Sequence, residues 1–157
     1  MIKVMFYDVG GVFHVPSYDA QMKADYGLRL DAFLKENGID LGLTPEETER
    51  LVAKGTTDYK HWGEESGVEL RSLRIWKDFV FREYDIPEDK LAPIAVHLSD
   101  MHNARRHRSV RPHLLETVER VHALGFRQGV ISNVISENFI PGCVEEYGLM
   151  PYMECIV

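Results

Sequence analysis

A carboxylate that follows a short apolar run is the first group in this sequence placed to do chemistry. Asp8 comes after the run from Met1 to Tyr7 and is followed by Gly10 and Gly11. An aspartate at the end of a buried strand can attack a phosphoryl group in line, and glycines let backbone amides approach an anion. Taken alone, the motif also fits a turn in which Asp8 caps the loop.

A hydroxyl follows a second apolar run near the C-terminus. The run from Phe126 to Ile131 ends at Ser132 and Asn133. The Ser132 hydroxyl and the next amide are suited to bind a phosphoryl oxygen, although a Ser-Asn pair also caps helices and forms turns.

The elements around these two motifs alternate. A helical pattern runs from Pro112 to Gly125 between the two apolar runs. A second helical stretch, interrupted by Pro141, ends at Gly148, and a last apolar run extends from Tyr152 to Val157. This strand, helix, strand, helix, strand order predicts a parallel sheet with right-handed crossovers, in which ligands bind beyond the carboxyl ends of the strands. We therefore expect Asp8 and Ser132 to lie at the same edge of one sheet.

Between about Ser17 and His107 the pattern is amphipathic and helical. It predicts a helical insertion over residues 17–107 in an α/β core formed by residues 1–16 and 108–157. The aromatic residues of the insertion recur at helical spacing, which favours an internal core over a ligand site. The expected helices are Leu30–Asn37, Thr44–Lys54, Thr57–Ser66, Ser72–Tyr84 and Pro87–Met101.

With these motifs the sequence resembles the haloacid dehalogenase (HAD) superfamily of hydrolases. Asp8-Val9-Gly10-Gly11-Val12 is similar to the first motif of that family, the insertion to its C1-type cap, and the segment from Gly129 to Asn133 to its second motif. The resemblance implies a Rossmann-like parallel-sheet core with an inserted α-helical cap.

The resemblance also implies roles for individual residues. Asp8 is the expected nucleophile and, with the backbone carbonyl of Gly10, the expected ligand of Mg²⁺. The phosphate group is expected to bind at Gly10, Gly11, Ser132 and Asn133.

Two departures from the family pattern bear on activity. Gly10 stands where the family usually has its acid/base aspartate, so the leaving group would need another proton source. The last lysine is Lys90 and the last aspartate is Asp100, so no lysine or aspartate follows Ser132. We expect an incomplete Mg²⁺ site and little or no turnover by this chain alone.

The family sheet also has two further strands beside the strand of the nucleophile. Without them, the strand before Asp8 is expected to be an exposed hydrophobic edge. This predicts homo-oligomerisation or pairing of the strand edge with another chain.

Composition excludes some partners and compartments. The formal net charge of −7 disfavours general affinity for nucleic acid or an anionic membrane. The N-terminal apolar run is too short for a signal or spanning segment, so the expected location is the cytoplasm. Cys143 and Cys155 lack a metal-ligand spacing and are expected to be reduced and packed. The basic stretch from His102 to His113 is interpreted as a solvated linker.

Three functions fit the sequence. The leading hypothesis is a Mg²⁺-dependent phosphatase of small phosphorylated metabolites that forms an aspartyl-phosphate at Asp8. The second is a 2-haloacid dehalogenase, in which the same carboxylate attacks carbon and needs no metal. The third is an inactive HAD-like fragment or binding domain.

Overall fold

The computed structural model describes residues 3–157. The predicted first strand began at Met1, and Met1 and Ile2 lie outside the described residues. The chain divides into two compact units, which are described separately. The parallel-sheet unit comprises the described residues up to Ser17, together with Arg106–Val134 and Asn138–Val157. The helical unit comprises Tyr18–Arg105 and Ile135–Glu137.

Strands and helices follow one another along the chain with the following bounds. The strands are β1 (Val4–Tyr7), β2 (His14–Ser17), β3 (His107–Val110), β4 (Arg127–Val130) and β5 (Cys155–Ile156). The α-helices are α1 (Ala20–Glu36), α2 (Pro45–Ser66), α3 (Ser72–Ile75), α4 (Glu88–Leu91), α5 (Ala95–Ala104), α6 (Leu114–Ala123) and α7 (Phe139–Glu146). A π-helical turn (Trp76–Val80) continues α3, and a 3₁₀ turn (Met150–Tyr152) precedes β5.

The sheet of the parallel-sheet unit has the strand order β1-β4-β5, and both pairings are parallel. Tyr7 lies opposite Val130, which in turn lies opposite Ile156. The helices α6 and α7 occupy the connections that lead to β4 and β5. The predicted α/β fold with a parallel sheet is confirmed.

The two faces of this sheet differ. One face is packed: Val130 is fully buried in a cluster with Val9 and with Val118 of α6 and Val144 of α7. Side chains of the opposite face stay in solvent, with Phe6 51% and Ile131 47% exposed. One face of the sheet therefore supplies the core of this unit.

Strand β1 is an edge of the sheet, because β4 is its neighbour on one side and the described residues place no strand on the other. Val4 and Met5 are 44% and 37% exposed. The predicted exposed hydrophobic edge is confirmed. Oligomerisation through that edge stays a prediction.

A second sheet of the same unit was not predicted. Strands β2 and β3 pair antiparallel, with His14 opposite Val110 and Ser17 opposite His107. The interpretation of the basic stretch as a solvated linker is therefore wrong for its central part. The guanidinium of Arg108 donates to the Cys143 sulfur at 2.9 Å and forms an ion pair with Glu146 at 3.1 Å.

In the helical unit, the first two helices are longer than expected. Helix α1 begins at Ala20 and not at Leu30, because the Asp19 carboxylate accepts from the Met22 amide and caps it there. Helix α2 runs through the break expected between Lys54 and Thr57. Its N-terminus is a capping box, in which the Thr44 and Glu47 side chains each form a hydrogen bond with the other residue's backbone amide.

The later helices are shorter than expected. The helix expected over Ser72–Tyr84 keeps α-helical geometry only as far as Ile75 and then widens into the π-helical turn. The helix expected over Pro87–Met101 is divided into α4 and α5, since Pro93 cannot donate a helical hydrogen bond. The last expected strand, Tyr152–Val157, is reduced to β5 by the preceding 3₁₀ turn.

The helical unit encloses its own hydrophobic core, as expected. Trp76 is fully buried at its centre, and its indole N–H donates to the Ser99 hydroxyl at 2.8 Å. Leu30, Val52 and Leu98 pack in the same cluster. Within residues 3–157, no helix combines the length and apolar character needed to cross a membrane.

The two cysteines are both free thiols, and their surroundings differ. Cys143 is buried in the core of the parallel-sheet unit, as expected. Cys155 is exposed on β5, so the expectation that it is packed is wrong.

Candidate functional site

The carboxylate of Asp8 and the hydroxyl of Ser132 meet at the carboxyl edge of the parallel sheet. Asp8 directly follows β1, and Ser132 lies two residues beyond the end of β4. The Ser132 hydroxyl donates to Asp8 Oδ1 at 2.8 Å, and the Val9 amide donates to the same oxygen at 2.7 Å. The structure thus brings together the two residues that were predicted from separate motifs.

Backbone hydrogen bonds that continue beyond the strands fix this meeting point. The Ile131 amide donates to the Tyr7 carbonyl at 2.9 Å, and the Ser132 amide donates to the Val157 carbonyl at 3.0 Å. These bonds extend the parallel ladders past Tyr7 and Val130. The Ser132 amide is bonded to Val157, the residue after β5. The sheet, and not a flexible loop, therefore sets the position of the Ser132 hydroxyl.

The loop after Asp8 forms a tight turn. Val9 is buried, and its carbonyl accepts from the amides of Val12 and Phe13 at 3.2 and 2.9 Å. Gly11 has a φ of +80°, a conformation that favours glycine. Gly10 and Gly11 are exposed, and the space around both is open.

The structure assigns specific partners to the amides expected to bind phosphate. The Gly11 amide donates to the His14 carbonyl at 2.8 Å, so in this arrangement it is used inside the loop. The Ser132 amide is likewise used by Val157. Asn133 is exposed next to Ser132. The Asp8 carboxylate and the Ser132 hydroxyl are therefore the main groups that a ligand could contact at this edge of the sheet.

Arg111, which the sequence analysis interpreted as part of a solvated linker, forms hydrogen bonds with this loop. Arg111 donates from Nε and Nη2 to the Gly11 carbonyl at 3.2 and 2.9 Å. Its backbone amide donates to the Phe13 carbonyl at 2.8 Å. No local sequence pattern pointed to this contact, since 100 residues separate the two partners.

A buried polar cluster lies next to the loop, where His14 contacts the residue that follows α7. His14 is 4% exposed, and its Nδ1 is 2.9 Å from the Tyr147 hydroxyl. Burial lowers the pKa of His14, as does the nearby guanidinium of Arg108, while the Asp8 carboxylate acts in the opposite direction. Burial also raises the pKa of Tyr147 to about 12, so its hydroxyl stays protonated at neutral pH.

A Mg²⁺ ion would find part of its ligand set at this edge of the sheet. Asp8 supplies a carboxylate, and Gly10 has a backbone carbonyl of the kind that hard cations bind. Both hydrogen bonds that the described residues make to Asp8 use Oδ1, which leaves Oδ2 for a cation or a substrate. Within residues 3–157, however, no group of three or more His, Cys, Asp or Glu side chains is arranged to hold a metal. The described residues therefore do not complete a Mg²⁺ site.

Comparison with known proteins gives similarity of structure only. No family model matches the sequence, and no curated protein has a significantly similar sequence. A predicted phosphoglycolate phosphatase from Haemophilus somnus 129PT aligns with 12% identity and a TM-score of 0.49, over 99% of this chain and 62% of its own. A HAD phosphatase from Thermococcus onnurineus aligns with 16% identity and a TM-score of 0.45, over 100% of this chain and 61% of its own.

The chain thus spans about three-fifths of the length of these two proteins. The activities in their names are those of the proteins compared. The sheet order and the junction of Asp8 with Ser132 are features of this chain itself. The chain is an α/β protein with a parallel sheet.

Proposed function

We propose that the parallel-sheet unit is the nucleophile-bearing part of a HAD-type phosphatase that acts on small phosphorylated metabolites. The observation that carries the proposal is the 2.8 Å hydrogen bond from the Ser132 hydroxyl to Asp8 Oδ1. This bond joins the residues after two adjacent parallel strands, where ligands of open α/β sheets bind.

The chemistry follows from the two oxygens of Asp8. Oδ1 is held by Ser132 and by the Val9 amide, so Oδ2 is the atom that attacks phosphorus. The new bond is Asp8 Oδ2 to phosphorus, and the bond that breaks is the one from phosphorus to the leaving oxygen. The leaving oxygen takes its proton from water, because residue 10 is glycine. Water then hydrolyses the aspartyl-phosphate and regenerates the carboxylate.

Ser132 has a second role in this proposal. When Asp8 is phosphorylated, the Ser132 hydroxyl can transfer its hydrogen bond from the carboxylate to a phosphoryl oxygen, as a charge-assisted bond. A hydrogen bond to a charged group contributes about 1.5–3 kcal/mol. Loss of the hydroxyl should therefore slow phosphorylation by roughly tenfold or more.

Mg²⁺ dependence belongs to the same proposal, with Asp8 and the Gly10 carbonyl as the expected ligands. Bound there, the ion would neutralise charge on the transferring phosphoryl group. Since these two groups do not complete a site, the remaining ligands would come from water, the substrate phosphate or groups outside the described residues. Titration with Mg²⁺ and chelation by EDTA test this dependence directly.

Formation of the aspartyl-phosphate is the experiment that tests the function. The chain is incubated with acetyl phosphate and Mg²⁺, quenched in acid and digested, and the phosphate on the peptide that contains Asp8 is measured by mass spectrometry. We expect phosphorylation of Asp8 to accumulate, because the second step lacks an acid/base side chain at Gly10. Asp8→Asn should abolish it, and Ser132→Ala should slow it.

A matched variant separates the site from a general effect of charge. Asp89 is exposed on α4 of the helical unit, so Asp89→Asn makes the same chemical change in the other unit. This variant should be phosphorylated like the wild type. An unmodified Asp8 at every Mg²⁺ concentration, or a label that survives Asp8→Asn, would refute the proposal. Chloride release from 2-chloropropionate without Mg²⁺, together with an unmodified Asp8, would favour the dehalogenase alternative.

A further inference from the structure

The loop that follows Asp8 has few side chains that could pack and hold it in place. Gly10 and Gly11 have no side chains, and Val12 is 46% exposed. An added methyl group at Gly10 or Gly11 would meet no atom within 4 Å, so neighbouring groups do not pack around either residue. Two successive glycines also give the unrestrained chain more conformations than other residues would. Besides the backbone hydrogen bonds within the turn, a contact from elsewhere in the fold can therefore restrict this segment.

Arg111 makes that contact with both its side chain and its backbone. The guanidinium donates two hydrogen bonds to the Gly11 carbonyl, from Nε at 3.2 Å and from Nη2 at 2.9 Å. The Arg111 amide donates to the Phe13 carbonyl at 2.8 Å. Phe13 is itself fully buried, and its ring lies 5.6 Å from that of Tyr7, which precedes Asp8. The far end of the loop is thus fixed to the core and its middle to Arg111.

We infer that Arg111 is a positioning residue that holds the loop after Asp8 in its reactive conformation; this inference rests on the proposed function. The connection is short. Gly11 is held by Arg111, the turn from Val9 to Phe13 closes on the Val9 carbonyl, and the Val9 amide bonds Asp8 Oδ1. If the Gly11 carbonyl is released, the turn loosens and the Val9 amide no longer fixes the carboxylate.

The guanidinium suits this task better than an ammonium group. Its planar donors converge on one carbonyl oxygen in a fixed geometry, whereas a lysine offers a single rotating point of donation. Arg108, which lies on β3 three residues before Arg111, is engaged elsewhere, by Cys143, Glu146 and the ring of Phe139. Arg111, in contrast, directs its guanidinium to the loop.

The test uses Arg111→Lys and Arg111→Gln in the full chain, with Arg127→Gln as the matched control. Arg127 is also exposed in the parallel-sheet unit. Its guanidinium also contacts one oxygen through two nitrogens, with Nε and Nη2 at 2.7 and 2.6 Å from Glu154 Oε2. Hydrogen exchange of single amides is followed by NMR at Gly11 and Phe13, which report the turn, and at Ile131, which reports the ladder between the strands.

We expect exchange at Gly11 and Phe13 to rise roughly tenfold or more in both Arg111 variants, the size expected for hydrogen bonds to a charged group, with no change at Ile131. Phosphorylation of Asp8 by acetyl phosphate should slow by a similar factor in both variants and remain at the wild-type rate in Arg127→Gln. Lysine should not rescue the rate, since it preserves the charge and not the planar fork.

The outcomes separate this inference from the proposed function. Wild-type exchange at Gly11 in Arg111→Gln, or equally faster exchange at Ile131, would overturn the positioning role. A wild-type phosphorylation rate in Arg111→Lys would overturn it too, while Asp8 kept its own role. If Asp8 is never phosphorylated in the wild type, the proposed function fails, and the exchange at Gly11 still decides whether Arg111 holds the loop.

Discussion

The helical unit and the parallel-sheet unit bury their hydrophobic side chains in different ways. Helices on several sides enclose the core around Trp76 and Leu30, so apolar groups of the helical unit point inward. The parallel sheet is packed on one face, at Val130, and leaves Phe6 and Ile131 of the other face half exposed. Parallel sheets of α/β proteins are ordinarily covered on both faces. The helical unit therefore has a closed core, and the sheet unit has a core on one side.

This difference has an energetic meaning. Burial of apolar surface stabilises by roughly 25 cal/mol per Å². Side chains on the open face of the sheet contribute only part of that amount, because much of their surface remains in water. Substitutions in the closed core should therefore cost more than those in the sheet, and within the sheet the two faces should respond unequally.

The largest effect is expected where two backbones of the helical unit touch. A methyl group at Gly55 of α2 would lie 2.5 Å from Val80 Cα and 2.9 Å from the Phe79 carbonyl oxygen. Both are backbone atoms, which cannot shift without distorting the π-helical turn. Gly55→Ala should cost about 3 kcal/mol in the free energy of unfolding measured in urea.

The control for this prediction lies in the same helix. At Gly63 the nearest atom is the Val68 carbonyl oxygen at 3.7 Å, an ordinary contact. Gly63→Ala should stabilise by about 0.5 kcal/mol, because alanine is the better helix former. Equal effects of the two substitutions would show that α2 is not packed against the π-helical turn as tightly as described.

The same glycine explains one limit of the sequence analysis. A break in the helix was expected between Lys54 and Thr57, whereas in the structure the absence of a side chain at Gly55 allows the turn at Val80 to approach. The start of a helix at Thr44 and the strand β4 depend on neighbouring residues, and both were predicted. The ribbon of β2 and β3 depends on pairing between segments about 90 residues apart in the sequence, which no local pattern records.

The candidate site likewise contains contacts that the sequence predicts and contacts that depend on pairing between distant segments. The meeting of Asp8 with Ser132 was predictable, because residues that follow adjacent parallel strands share one edge of the sheet. The contact of Arg111 with Gly11 was not, since it exists only once the ribbon has formed.

An intermediate effect should distinguish the two faces of the sheet. Val130 is fully buried and Ile131, the next residue, is 47% exposed on the opposite face. Val130→Ala removes two buried carbon atoms and should cost about 2 kcal/mol, the lost burial plus a small cavity. Ile131→Ala should cost less than about 1 kcal/mol, although it removes more atoms.

Urea denaturation of the two variants under identical conditions measures this contrast. A cost at Ile131 that equals or exceeds the cost at Val130 would mean that something covers the open face in solution. Repeating the measurement over a range of protein concentrations identifies self-association as the cover, because a dimer would make the stability of the wild type depend on concentration.

The smallest effect concerns the buried polar cluster that the sheet unit places beside its core. Burial and the Arg108 guanidinium hold the pKa of His14 below its ordinary value of about 6.5. In the unfolded chain, His14 binds a proton near that value, whereas the folded protein resists protonation until a lower pH. Stability should therefore be complete above about pH 6.5 and decline as the pH falls below it.

Removing the imidazole should remove that part of the decline. Between pH 7.5 and 5.5, His14→Gln should lose less unfolding free energy than the wild type in urea. His61→Gln, at an exposed position on α2, is the control and should follow the wild type, because its side chain stays in water in both states. If both variants decline in parallel with the wild type, His14 is not buried beside Tyr147 in solution. A smaller decline for His14→Gln alone would show that the one-sided core still excludes water behind the loop of Asp8.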